Sequence, residues 1–236
     1  MTTRDDWLNG ALWLIGGIIL DFAIQILGVG ASQGLAMVFG QPANGLLATV
    51  LLILIVLAMT YGIATLLIYA VRLKSPNLRL HPIKWDRLKY VFLGYVGIVV
   101  GIMLVNFVRV LLTGDVDVAT NQQVLQDTFN QGPYGIVFVG VLAIIVAPIV
   151  EELIFRGIVM NYFFKNKGWW WNIILSAGLF GYFHVYAAFN PFDFLQYALM
   201  GGILAYIYKK THQLQYAMLA HALNNTLSFL AMMAML

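Results

Sequence analysis

Residues 134–164 read YGIVFVGVLAIIVAPIVEELIFRGIVMNYFF. An apolar run this long is a helix that crosses a bilayer, because about 20 apolar residues suffice at 1.5 Å of rise each. Yet the run holds Glu151, Glu152 and Arg156 within six residues. A charge at bilayer depth costs roughly 2.5–3.5 kcal/mol even on the mild insertion scale, and an intramembrane ionisable group is by default a mark of function. One stretch therefore points both to a membrane-embedded helical fold and to the place where its chemistry sits.

The rest of the chain agrees. It is 61% hydrophobic and only 10% charged over 236 residues, against about 25% charged in a soluble domain. Repeated long apolar runs without period-two alternation predict an all-α, polytopic membrane protein rather than a β-barrel. There is no cysteine, which excludes disulfides and thiolate metal sites. The formal charge is +3, but the basic residues lie in connectors between apolar runs, as membrane topology requires, so a nucleic-acid partner is not expected. The first apolar run, from Leu12 to Phe39, is too long for a signal-peptide core and reads as a retained span.

Seven spans are expected, at 11–39, 46–71, 90–113, 134–164, 169–189, 194–208 and 214–235, the sixth being short. They form a single membrane domain over 1–236 around a polar intramembrane cavity. Arg4, the basic cluster from Arg72 to Lys89, Lys165, Lys167, Lys209 and Lys210 fall on one side of this scheme. The opposite connectors carry Asp115, Asp117, Asp127 and Asp193 and no Lys or Arg. The positive-inside rule then puts the N-terminus in the cytoplasm and the C-terminus outside. The segment from Arg72 to Lys89 reads as a topogenic loop, with a surface on anionic lipid as the alternative. Trp169, Trp170 and Trp171 form an interfacial belt, and Gly94, Gly97 and Gly101 suit close helix packing.

Helix geometry divides the charges. Residues four apart share a face, whereas adjacent residues point about 100° apart. Glu152 and Arg156 are thus neighbours that can pair. Glu151 points elsewhere, has no partner in its own turn, and is the plausible general base. Pro148 removes a backbone hydrogen bond just before the pair and is expected to kink the helix. A purely structural reading, a charged cluster that locks helix packing, stands beside this one. Two further spans carry polar residues: Phe180-Gly181-Tyr182-Phe183-His184, and His221-Ala222-Leu223-Asn224-Asn225. His221 and Asn225 share a face and supply donors for a developing oxyanion, or else polar contacts between helices. Counted from the basic ends of their helices, Glu151 and His184 lie roughly 20 Å deep, Asn225 roughly 17 Å and His221 roughly 10 Å. Four polar residues on three helices are therefore expected at overlapping depths.

Taken in order, Glu151-Glu152-x-x-x-Arg156, Phe180-x-x-x-His184 and His221-x-x-x-Asn225 resemble the pattern of the CAAX protease and bacteriocin-processing family of intramembrane endopeptidases. That family includes the type II prenyl-protein endopeptidases and the bacterial Abi proteins. The motif-bearing region is 134–230; the first three spans resemble the family only as additional helices. The resemblance implies a peptide-bond hydrolase in which Glu151 and His184 activate water. His221 and Asn225 stabilise the oxyanion, and Glu152 with Arg156 orients the site. The family is conventionally called metalloprotease. Glu151, His184 and His221 would be the ligands of a zinc ion. However, Glu151 cannot be both ligand and free base, and a His-Glu-x-x-His helix is absent. The ligand count favours a glutamate-activated water with no cofactor required.

The expected partners are the bilayer and a peptide or membrane-protein substrate. The compact chain with short connectors suits a bacterial inner membrane, where a leader peptide or another hydrophobic peptide is a better substrate than a prenylated one. The rival readings are a non-catalytic immunity or sensor protein that keeps this fold, and a proton- or ion-coupled transporter with Asp21 in a relay. Asp21 and Gln25, four apart on the first span, either line a cavity or pack inward. No repeat of the kind common in transporters supports that last reading. The sequence says nothing of oligomeric state.

Overall fold

Each long apolar run becomes a helix whose length follows from what it must cross. The structure, a computed structural model, describes residues 4–76, 81–114, 119–164 and 170–235. Among them are eight helices and no strand. They are α1 (Arg4–Val38), α2 (Leu46–Lys74), α3 (Trp85–Thr113), α4 (Thr120–Phe129), α5 (Pro133–Tyr162), α6 (Trp171–Val185), α7 (Pro191–Thr211) and α8 (Leu214–Met233). The all-α, polytopic expectation is met.

Four helices, α1, α2, α3 and α5, are long and apolar enough to cross a membrane. Helices also occupy the other three expected places, but they do not meet that standard of length and composition. With 15 residues, α6 reaches only about 22 Å. In α7 and α8 the apolar residues are diluted by Asp193, Gln196, Lys209, Lys210, Gln215, His221, Asn224 and Asn225. The short helix α4 falls where a connector was expected. Its sequence, TNQQVLQDTF, is mostly polar, with Leu125 and Phe129 four apart on the face that packs inward. It is held by Phe129, which meets Phe229 of α8 edge-on at 5.6 Å and packs with Val139 and Met232.

The helix ends are set by local chemistry. Asn190 caps α7, its side-chain oxygen accepting from the backbone N–H of Phe192 at 2.9 Å and of Asp193 at 3.3 Å, with Pro191 at the first helical position. Gly114 ends α3 at φ 74°, a left-handed turn that glycine adopts without steric penalty. Arg72 and Lys74 close α2, and Lys209 and Lys210 close α7, where cations complement the helix dipole.

These basic ends gather at one end of the bundle. Lys74 pairs with Asp6 at the start of α1. Trp7 meets Phe163 at 5.2 Å and Phe164 at 4.9 Å at the end of α5. The loop before α3 and the first turn of α3 are fastened there as well: Gln215 donates to the His81 carbonyl at 2.7 Å, and Arg87 to the Thr211 carbonyl at 2.9 Å. Arg79, Lys165, Lys167, Trp169, Asp115 and Asp117 of the expected charge and tryptophan patterns lie outside the described residues. Gly94, Gly97 and Gly101 all face α7, against Ile207, Ile203 and Leu199, so the close packing expected of them is present.

The most deeply enclosed element is the second half of α5. From Val150 to Tyr162 every residue is buried, and Arg156 is among the largest side chains with no exposure at all. By contrast, Ile19, Leu54 and Phe107 on α1, α2 and α3 are each about 60% exposed, as residues facing lipid are. The charges thus sit in the protected centre of an apolar shell.

Candidate active site

The middle of α5 departs from regular α-helix. Two π-helical stretches, Leu142–Val146 and Leu153–Val159, bracket the short α-helical segment Ala147–Glu152 that contains Pro148, Glu151 and Glu152. The first ends with Ala147 N–H donating to the Leu142 carbonyl, five residues back. Wide turns of this kind are rare and concentrate at functional sites. The kink expected from Pro148 is thus taken up as a π turn immediately before it, since proline has no N–H to continue the ladder. Side chains from neighbouring helices donate to carbonyls in the two stretches. Asn225 of α8 donates to Ala143 O at 2.8 Å, and Ser176 of α6 to Phe155 O at 2.8 Å. Asn161 reaches Gly157 O at 2.7 Å and Tyr208 Oη at 2.9 Å.

Glu152 and Arg156 form the expected pair. Arg156 Nη1 donates to Glu152 Oε1 at 2.9 Å, and both side chains are wholly buried. Arg156 also donates through Nη2 to the Gly201 carbonyl of α7 at 2.8 Å and lies over the Phe180 ring at 4.6 Å. Its charge is therefore met by a carboxylate, a carbonyl and an aromatic face, while its Nε makes no hydrogen bond. His221 joins from α8, with Nδ1 at 3.0 Å from the same Glu152 Oε1.

Glu151 takes the other direction. It lines a cavity of about 670 Å³ together with His184, His221 and Asn225, whereas Glu152 and Arg156 lie behind that wall. The four residues, on three helices, line one cavity. His184 Nδ1 lies 2.9 Å from the Phe180 carbonyl. A carbonyl only accepts, so Nδ1 carries the proton and a neutral His184 presents its Nε2 lone pair. That Nε2 is 3.8 Å from Glu151 Oε2, which makes no hydrogen bond to protein. Tyr197 stacks on the imidazole at 4.4 Å and fixes its plane. Asn225 Oδ1 accepts from Asn224 at 3.2 Å. One N–H of the Asn225 amide is given to Ala143, and the amide has a second.

Glu151, His184 and His221 are not gathered as a set; among the described residues no three His, Asp or Glu side chains are close enough together to hold a metal ion. As arranged, the side chains do not fit a three-ligand zinc centre.

Three cavity-wall residues carried no signal in the motifs. Arg109 of α3 is a further charge inside an apolar run. It pairs at 3.0 Å with Asp193, both buried, although Asp193 reads in the sequence as a connector charge. Tyr197 looks like any aromatic of an apolar helix. Asp21 lines the same cavity, which resolves its two readings in favour of the cavity.

Fold and site together define a multi-pass helical membrane protein with a polar cavity enclosed among its helices. Residues 133–227 match the family described as type II CAAX prenyl endopeptidase Rce1-like, so the resemblance carried by the three motifs holds over the region that contains them. Of curated proteins, "Putative membrane peptidase YdiL" of Bacillus subtilis (strain 168) is 28% identical over 106 residues, 45% of this chain and 40% of that protein. "UPF0177 protein YaiF" of Lactococcus lactis subsp. lactis (strain IL1403) is 35% identical over 111 residues, 47% of each. The chain spans less than half the length of either relative. No solved structure matches.

Proposed function

We propose that this protein is an intramembrane endopeptidase that hydrolyses a peptide bond of a hydrophobic or membrane-associated peptide by glutamate-activated water. The observation that carries the reading is the shared cavity: Glu151, His184, His221 and Asn225 face one space, and Glu151 Oε2 is left without a hydrogen bond there. The match of residues 133–227 to an endopeptidase family supports it.

In this reading Glu151 takes a proton from water while His184, presenting Nε2, orients that water. The hydroxide adds to the carbonyl carbon, and the π electrons of the carbonyl move to its oxygen. The second N–H of Asn225 and the imidazolium form of His221 stabilise that oxyanion. His221 donates Nδ1–H to Glu152, so only the doubly protonated ring has a second N–H to give. The Glu152 carboxylate, set between Arg156 and His221, holds that ring by accepting its Nδ1–H. The C–N bond then breaks as the proton held on Glu151 passes to the leaving amine. Glu152 and Arg156 act as positioning residues. No step is routed through a metal.

A leader peptide or membrane-protein fragment is the favoured substrate class, in a bacterial inner membrane with the N-terminus cytoplasmic. The two bacterial relatives and the basic ends gathered beside α1 support that placement. The decisive experiment is comparative proteomics of membranes holding the wild type or Glu151→Ala. Peptides that accumulate uncleaved only with the variant, at equal expression and insertion, support the reading. Cleavage retained by the variant overturns it and leaves the non-catalytic sensor or immunity reading. Elemental analysis of active protein and a chelator test decide metal dependence separately.

A further inference from the structure

Helix α1 lies outside the matched region, yet it brings a carboxylate to the cavity. Asp21 is 1% exposed. Its Oδ2 accepts from Gln25 Nε2 at 3.2 Å, one turn further on, and its Oδ1 has no hydrogen-bond partner. The neighbouring Phe22 packs on Phe183 at 5.6 Å and on Tyr186 at 5.7 Å, which fixes α1 against the end of α6 that carries His184. Asp21 and Glu151 wall the same space and stand within electrostatic reach of each other. The Lys or Arg that lines this cavity among the described residues is Arg109, whose guanidinium already holds Asp193 at 3.0 Å.

The cavity is therefore acidic in balance. Two carboxylates line this space, each with a buried oxygen that lacks a hydrogen bond, and the guanidinium there is already matched. In low dielectric such a wall attracts a cation strongly. A carboxylate oxygen buried without a donor bears an uncompensated desolvation penalty. A cation that carries N–H groups answers both demands, because it supplies charge and a short charge-assisted hydrogen bond together.

We propose that Asp21 is a substrate-recognition residue that binds a cationic group of the peptide, an ammonium or a guanidinium, through an N–H directed at Oδ1. Gln25 holds the carboxylate in the rotamer that presents that oxygen. The inference rests on the endopeptidase reading and narrows its substrate class to hydrophobic peptides with a Lys or Arg near the cleaved bond.

The test uses the full chain in proteoliposomes and quenched fluorescent apolar peptides that differ only in Lys, norleucine or Glu at each position around the bond. Asp21→Asn keeps the acceptor that Gln25 needs, so the fold is preserved while the charge is removed; Asp21→Glu restores the charge. The readout is the ratio of Lys-peptide to norleucine-peptide cleavage. In the wild type it is about tenfold or more at one position, the size of one charge-assisted hydrogen bond. In Asp21→Asn it collapses towards one, and in Asp21→Glu it recovers in part. No Lys preference in the wild type, or a preference that survives Asp21→Asn, overturns the inference and leaves the endopeptidase reading intact. If the wild type cleaves none of these peptides, that result counts against the endopeptidase reading, and binding decides Asp21. Dodecylamine should then raise the unfolding temperature more than dodecanol in the wild type only. Equal effects of the two, or an amine effect that persists in Asp21→Asn, overturn the cation site.

Discussion

His221 Nδ1 lies 3.0 Å from Oε1 of Glu152, on the same oxygen that receives Arg156 at 2.9 Å. One carboxylate thus fastens α8 to α5, and through Arg156 and the Gly201 carbonyl it also reaches α7. A residue of the most charged motif is in this way the joint of three helices, behind the cavity rather than in it.

Removing that joint leaves a guanidinium buried and unpaired. Glu152→Ala is expected to destabilise the protein by about 3–5 kcal/mol, the usual cost of breaking a buried ion pair from one side. Thermal unfolding in detergent measures it. A midpoint equal to the wild type would show that Arg156 is satisfied without Glu152.

Glu151 behaves oppositely. Its Oε2 makes no hydrogen bond to protein, so Glu151→Gln removes a charge without breaking a pair. The same unfolding measurement should give a midpoint at or above that of the wild type while peptide cleavage falls to background.

His184 is held by the Phe180 carbonyl on one side of its ring and stacked by Tyr197. In the proposed mechanism His184 orients the water, so replacing it with alanine should lower kcat by about 10²–10⁴, the range of general acid–base assistance. A change confined to KM would place His184 in substrate binding instead.

Asn225 has two duties, one towards Ala143 O at 2.8 Å and one towards the cavity. Asn225→Ala should cost about 1–3 kcal/mol of stability through the stranded carbonyl and about 10²–10³ in kcat through the lost oxyanion donor. Measuring both quantities on one preparation separates the duties; loss of stability alone would reduce Asn225 to packing.

Close approach of α2 and α5 depends on Gly157, where an added Cβ would come within 2.7 Å of Val71 Cγ2. Gly157→Ala is expected to destabilise by about 1–3 kcal/mol, as overpacking does. Val71→Ala in the same chain should recover part of that loss, and failure to do so in a double-mutant cycle would locate the strain elsewhere.

The sequence by itself determined the helical class, the bilayer as solvent, the pairing of Glu152 with Arg156 and the separate direction of Glu151. All of these follow from local quantities: hydropathy per turn, the cost of buried charge, and the 100° between adjacent residues. The gathering of His184, His221 and Asn225 with Glu151 was legible only as an overlap of depths. Tertiary structure alone decided the rest. That Arg109 meets Asp193, that Asp21 of α1 lines the same cavity as Glu151 of α5, and that Asn225 donates to a carbonyl in a π turn all depend on how helices rotate and cross. The same is true of the bounds of α6, Trp171–Val185. Helix rotation and crossing are set by packing between residues far apart in the chain, at glycines such as Gly94, Gly101 and Gly157. No periodicity within a single helix records which neighbour each face will meet.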